Sequence, residues 1–266
     1  MGLIALKRKS GNIGKNKEKK RLAWLAPLCT IAALAVVWEV VARAGVIHVA
    51  FLPAPGKILL TTLRILPSVF PEIGYTLGIT SAGFGLALCL GFAAALVMDM
   101  SKAVERSLHP LLVISQTIPT IALAPLFVLW FGYGILPKLL VIMSVCFFPI
   151  ALNLLGGLQS APPGMLGLLK SMGASRMKRF AMVKLPSALP QFFSGLKIAA
   201  TYSIMGGVIA EWLGGNRGIG VYMIRVKRSY SYDKMFAAIL IVVLLSLAVV
   251  ALVDVVRRLC VRWEPK

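Results

Sequence analysis

Apolar residues in this chain gather into long stretches separated by short basic ones. A helix needs about 20 predominantly apolar residues to cross roughly 30 Å of hydrocarbon. Six stretches satisfy that length: 23–44, 74–98, 109–131, 136–157, 187–210 and 235–257. Between the fourth and fifth lies "PPGMLGLLKSMGASRMKRFAMVKLP" (162–186), with five Lys or Arg, no Asp or Glu, and too few consecutive apolar residues to span. Within it Met165, Leu168, Leu169 and Met172 recur at i, i+3, i+4 and i+7, which makes one apolar helical face. Ser160 is placed to cap that helix, Pro162 and Pro163 fit its first turn, and Gly173 fits a left-handed stop. A second short helix is expected from Ser175 to Pro186. An amphipathic segment of this kind suits two roles: resting on anionic lipid, or inserting as a peg into a groove on a partner.

Composition turns this pattern into a class. Of 266 residues 59% are hydrophobic, and the mean hydropathy is +0.86, both beyond what a soluble domain of this length absorbs. The formal charge of +20 raises nucleic acid as a partner, but eight of the 29 Lys and Arg fall within residues 7–21 and no binding motif accompanies them. Basic clusters beside apolar stretches mark cytoplasmic segments. With the N-terminus inside, 99–108, 158–186 and the C-terminus are inside, and 45–73 and 211–234 are outside. Arg217, Arg225, Lys227 and Arg228 run against that assignment. Six spans are retained because "SVCFFPIALNLLGG" and "AAILIVVLLSLAVVALVDVV" both require a membrane. No A-x-A-like site precedes Gly45, so the first apolar stretch is expected to stay as a span. The fold class is an all-α membrane protein of about six transmembrane helices with a short cytoplasmic helix.

Candidate chemistry is sparse. Cys29, Cys89, Cys146 and Cys260 have no C-x-x-C spacing, and His48 and His109 lack neighbouring ligands, so neither a redox nor a metal site is expected. No G-x-x-x-x-G-K-[ST] occurs, so a nucleotide-hydrolysing site of that kind is not expected here. Polar groups inside spans are the default candidates for a solute path, because they are costly in lipid. They are Gln116, Thr117 and Thr120 around Pro119, with Lys197 and Glu211. Lys197 also suits snorkelling to the inner interface, and Glu211 suits capping or pairing with Arg217. Glu39 with Arg43, and Asp254 with Arg257 and Arg258, have helical ion-pair spacing. Gly83, Ala87 and Gly91 form a small-residue ridge for a helix of this chain or of a second copy. Trp212, Tyr222, Tyr230 and Tyr232 suit interfacial anchoring or contact with an outer partner.

The spacing Gly173, Val183, Leu185, Pro186 resembles the second half of the coupling motif of ABC importer permeases, whose first half reads Glu-Ala-Ala where this chain has Gly167, Leu168 and Leu169. "LPAPGKI" (52–58), "IPTIALAPLFVLWFGYG" (118–134), "FFPIALNLLGGL" (147–158) and "LPSALPQFFSGLKIAATYSIMGGVIAEWLGGNRGIG" (185–220) extend the likeness to permeases for nitrate, sulfonates, taurine and pyrimidine thiamine precursors. The resemblance implies a basic cytoplasmic tail over 1–22, a permease domain over 23–258 with a coupling loop at 158–186, and a cytoplasmic C-terminal tail over 259–266. It implies that Met165, Leu168, Leu169, Met172, Gly173, Ala174, Ser175 and the corner Leu185–Pro186 dock on a separate cytoplasmic ABC ATPase dimer. It also implies a second permease copy, an extracytoplasmic substrate-binding protein and location in the bacterial plasma membrane. The chain binds no cofactor in this reading; ATP and Mg belong to the ATPase. The competing functions are an ion-gradient-driven secondary transporter, a membrane enzyme and a structural subunit. The first wants mid-span carboxylates and the second a clustered nucleophile, metal set or acid–base pair, and the sequence shows neither.

Overall fold

The computed structural model describes residues 27, 29–45 and 51–262, and every described regular element is helical. Helix α1 covers 29–43. It is followed by α2 (Pro55–Met100), α3 (Lys102–Ser115), α4 (Thr120–Phe131), α5 (Ile135–Gln159), α6 (Pro163–Ser171) and α7 (Arg176–Arg179). A π-helical turn, Phe180–Lys184, leads into α8 (Leu185–Trp212), and α9 (Ile219–Arg228) and α10 (Tyr232–Cys260) complete the chain.

Among the described residues, α2, α5, the run Arg176–Trp212 and α10 are each long and apolar enough to cross a membrane. The predicted third span, 109–131, is instead two helices, α3 and α4, bent by 98° at 116–119. Pro119 has no N–H to continue α3 and serves as the N-cap of α4. The predicted first span begins outside the described residues, and its described part, 29–43, is helical. The stretch 55–73, expected as an outer loop, is helical and belongs to α2, whose 46 residues reach about 70 Å at 1.5 Å per residue. Lys57, Arg64 and Glu72 interrupt its apolar pattern without interrupting its backbone. The Glu39 carboxylate accepts a hydrogen bond from Gly56 N at 3.1 Å, supplying the cap that Ala54 lacks.

Helix α5 sits centrally, packed on α2 and α8. The ridge Gly83, Ala87, Gly91 faces α5 of the same chain, where a Cβ on Gly83 would come within 2.7 Å of Ile142. Ala87, Ile142, Cys146, Ile150 and Ala199 form the middle of the core. By contrast α10 buries only Ala237, Ala238, Ile241 and Val253, and its exposed Leu244, Leu247 and Leu252 suit hydrocarbon.

Candidate functional site

Helix α6 protrudes at one end of the bundle and buries none of its residues. Met165, Leu168 and Met172 are 55%, 61% and 72% exposed, whereas Leu169 turns half inward with Leu166. The predicted apolar face therefore exists, rotated away from Leu169. Ser160 is not its cap: the hydroxyl donates to Gly157 O at 2.8 Å, because Ser160 closes α5, and Pro162 holds the N-cap position of α6. The C-terminus closes as the glycine spacing predicts. Gly173 has φ +77°, Gly173 N donates to Lys170 O at 3.1 Å, and Ala174 N donates to Leu169 O at 2.9 Å, the paired bonds of a Schellman stop.

Ser175 caps α7, its Oγ accepting from Lys178 N at 3.3 Å. The backbone then runs on without a corner at Leu185–Pro186. The Leu185 N–H bonds to Phe180 O, five residues back, and this wider turn accommodates the donor-less Pro186 at the start of α8. Leu185 and Pro186 are half-buried and lie off the exposed face. The single sharp turn is at Gly173–Ser175, so any displacement of α7 is carried into α8 by one continuous helix.

Half-way along the bundle a recess of about 370 Å³ opens between the α3–α4 bend, α5 and α8. Gln116 and Thr120 line it with Ser144, Phe148, Tyr202 and Met205, and among the described residues no charged one does. Thr117 and Pro119 form the bend beside it, with the Thr117 hydroxyl donating to Ile114 O at 2.7 Å. The other two path candidates lie elsewhere. Lys197 forms an ion pair with Asp254 of α10, which links α8 to α10.

Glu211 is 1% exposed and is part of a buried cap at the opposite end of the bundle. Its carboxyl group accepts from the Thr76 hydroxyl at 2.7 Å and from Gly220 N at 2.7 Å. Thr76 Oγ1 accepts from Ile219 N at 3.0 Å, and Glu72 from Gly218 N at 2.5 Å. Two acidic side chains and a hydroxyl thus satisfy the first N–H groups of α9, where the helix dipole favours negative charge. Gly218, at φ +111°, is required because a Cβ there would overlap the Glu211 carboxyl group. Capping was one expected role of Glu211; enclosure removes it from the recess. Sequence reasoning missed Glu72, Thr76 and Lys138. Lys138 is 6% exposed, 3.1 Å from the Tyr75 hydroxyl and over its ring. An intramembrane lysine at the start of a predicted span was the available signal.

Near that end, Trp212, Lys227, Arg228, Tyr230 and Tyr232 border a second recess of about 620 Å³. Tyr222 does not line it and packs against the core cluster that contains Ile65, Val69 and Ile219.

Residues 87–262 match the family described as the inner membrane component of binding-protein-dependent transport systems. The chain is an ABC importer permease. It is 37% identical over 249 residues to the formylaminopyrimidine transport permease protein ThiX of Halalkalibacterium halodurans, covering 93% of this chain and 99% of that one. It is 28% identical to the taurine transport system permease protein TauC of Escherichia coli, over 88% of this chain and 90% of that one. Inward-facing MetNI methionine ABC transporter has a chain of the same fold, with a TM-score of 0.65 at 18% identity, covering 74% of this permease and 98% of that chain. The permease is thus a non-catalytic, multi-pass component of the bacterial inner membrane, in a family that works with an ATPase and a substrate-binding protein.

Proposed function

We propose that this permease, paired with a second copy, forms the path of an importer in which α6 docks on the ATP-hydrolysing subunit. The termini and α6 then lie on the cytoplasmic side, and the α9 end meets the substrate-binding protein outside. ATP and Mg belong to the partner. Closure of the ATPase dimer moves α6 and α7, the continuous helix through the π turn carries that motion into α8, and the two permeases alternate between outward and inward access.

The observation that carries this reading is the exposed face Met165, Leu168, Met172. It ends in a fixed Schellman turn and joins directly to a core helix, so a partner seated on it moves the bundle. Leu168→Glu places a charge in that contact. An ATPase that co-purifies with the wild-type permease in mild detergent is expected to be lost from Leu168→Glu; full retention would contradict the docking role.

For the solute, the uncharged recess with Gln116, Thr120 and Tyr202 supports a neutral, hydrogen-bonding heterocycle of the formylaminopyrimidine class. The likeness to ThiX points the same way. Lys197, a cation that would favour an anionic solute, is paired with Asp254. Complete transporter in proteoliposomes is expected to accumulate formylaminopyrimidine in preference to taurine or nitrate, and Gln116→Ala to slow that uptake. Preference for either anion would reverse the assignment.

A further inference from the structure

Behind α6 lies a cavity of about 500 Å³ between Leu166, the α7–π segment and the last turn of α2. Leu96, Leu166 and Phe180 make its walls apolar, and three cations reach it: Arg176, Arg179 and Lys184. Two are already paired. Lys184 Nζ binds both Asp99 oxygens at 2.6 and 2.8 Å, and Arg176 Nη2 donates to Met100 O at 2.8 Å. Arg179 Nε is buried and has no hydrogen-bond partner among the described residues. Among the described residues around it no carboxylate is left for it. Residues 162–186 contain no Asp or Glu, Asp99 is held by Lys184, and Glu105 accepts from Gln159 at 2.7 Å.

We propose that this cavity is an acid socket, in which an Asp or Glu side chain of the ATP-hydrolysing subunit pairs with the Arg179 guanidinium. The inference rests on the docking of α6 proposed above. A buried donor without an acceptor is costly, whereas an arginine fork takes a carboxylate through two parallel bonds. The five cations and absent anions of 162–186 favour an acidic partner surface. The apolar walls exclude water from the pair, so screening by salt is weaker than for an exposed pair but still present. The exposed methionines and Leu168 would supply contact area, and Arg179 would fix the register of α6 on its partner.

The test measures the affinity of full-length permease in detergent for the ATPase that co-purifies with it, at several salt concentrations. Arg179→Gln is expected to weaken binding about tenfold at low salt and to flatten its salt dependence. Arg179→Lys is expected to recover part of the affinity, since the charge remains without the fork. An unchanged thermal transition of each variant shows that the fold is intact. Wild-type affinity and salt slope in Arg179→Gln, with binding still lost in Leu168→Glu, overturns the socket and leaves the docking of α6 standing. Wild-type binding in both overturns both. An unchanged ATPase affinity with loss of co-purifying anionic lipid reassigns the socket to a headgroup and also overturns the proposal.

Discussion

Helices α6 and α9 are short, nine and ten residues, and lie at opposite ends of the same bundle, yet they are held in opposite ways. Helix α9 buries Ile219, Gly220, Met223 and Val226, and its N-terminal N–H groups end on Glu72, Thr76 and Glu211. Helix α6 buries nothing, and its N-cap Pro162 makes no side-chain bond. Its exposed face carries Met165, Leu168 and Met172. In the proposed reading, that difference separates a structural helix from a docking helix. The N-terminal N–H groups of α9 are satisfied within the chain, whereas α6 leaves its apolar face exposed and α7, beside it, leaves one buried guanidinium nitrogen without a partner among the described residues.

The comparison breaks most clearly at Glu211. Glu211→Ala strands the Gly220 N–H and the Thr76 hydroxyl in a buried site and is expected to cost about 3 kcal/mol, read as a lowered thermal transition of the purified permease. Leu168→Glu, at the other end, is expected to leave that transition unchanged while abolishing ATPase retention. Similar transitions for the two variants would erase the distinction between the ends.

A smaller effect is expected for Asp99→Asn. It removes the charge from a pair in which Asp99 is 9% and Lys184 27% exposed, at a cost of about 2 kcal/mol. Because the pair ties α2 to the π turn, coupling is expected to fall as well, read as reduced uptake per ATP hydrolysed. A lowered transition with unchanged coupling would make the pair purely structural. Gly173→Ala forces an L side chain to φ +77° and is expected to strain the corner by about 1 kcal/mol. Since α6 carries little of the fold, ATPase affinity should fall more than the thermal transition does. The smallest change is expected at Tyr230, the non-glycine residue at φ +54°, which occupies the left-handed stop of α9. Tyr230→Gly should raise stability by roughly 0.5–1 kcal/mol. No gain would mean that the exposed ring makes up the strain through its contact with Tyr232.

How far the sequence could be read follows from what each signal reports. Apolar length located α5, α8 and α10 within three residues at each end, because continuous hydrophobicity is what a membrane selects. The same rule lost the first half of α2, where Lys57, Arg64 and Glu72 break the apolar run, and joined α3 to α4 across Pro119. Local chemistry was legible at Gly173, where a single residue determines the turn, and at Glu39–Arg43, whose Nε–Oε1 distance is 2.7 Å. It was not legible where partners lie far apart in the chain. Thr76 and Glu211 are separated by 135 positions and Asp99 and Lys184 by 85, and no periodicity encodes those meetings. For the same reason Lys197 and Glu211 resembled path residues: a polar group within a span is visible, while its partner on another helix is not. The α6 face was rotated by its most inward member, since i, i+3, i+4, i+7 spacing defines a stripe but not which edge meets the protein.

Hydrogen exchange of the α6 and α9 amides, in the permease alone and bound to its ATPase, tests the contrast most directly. The α9 amides are expected to be protected in both states, while those of α6 exchange quickly in the free permease and slow on complex formation. Strong protection of α6 in the free permease, or no change on binding, would contradict the assignment of α6 as the surface that a partner completes.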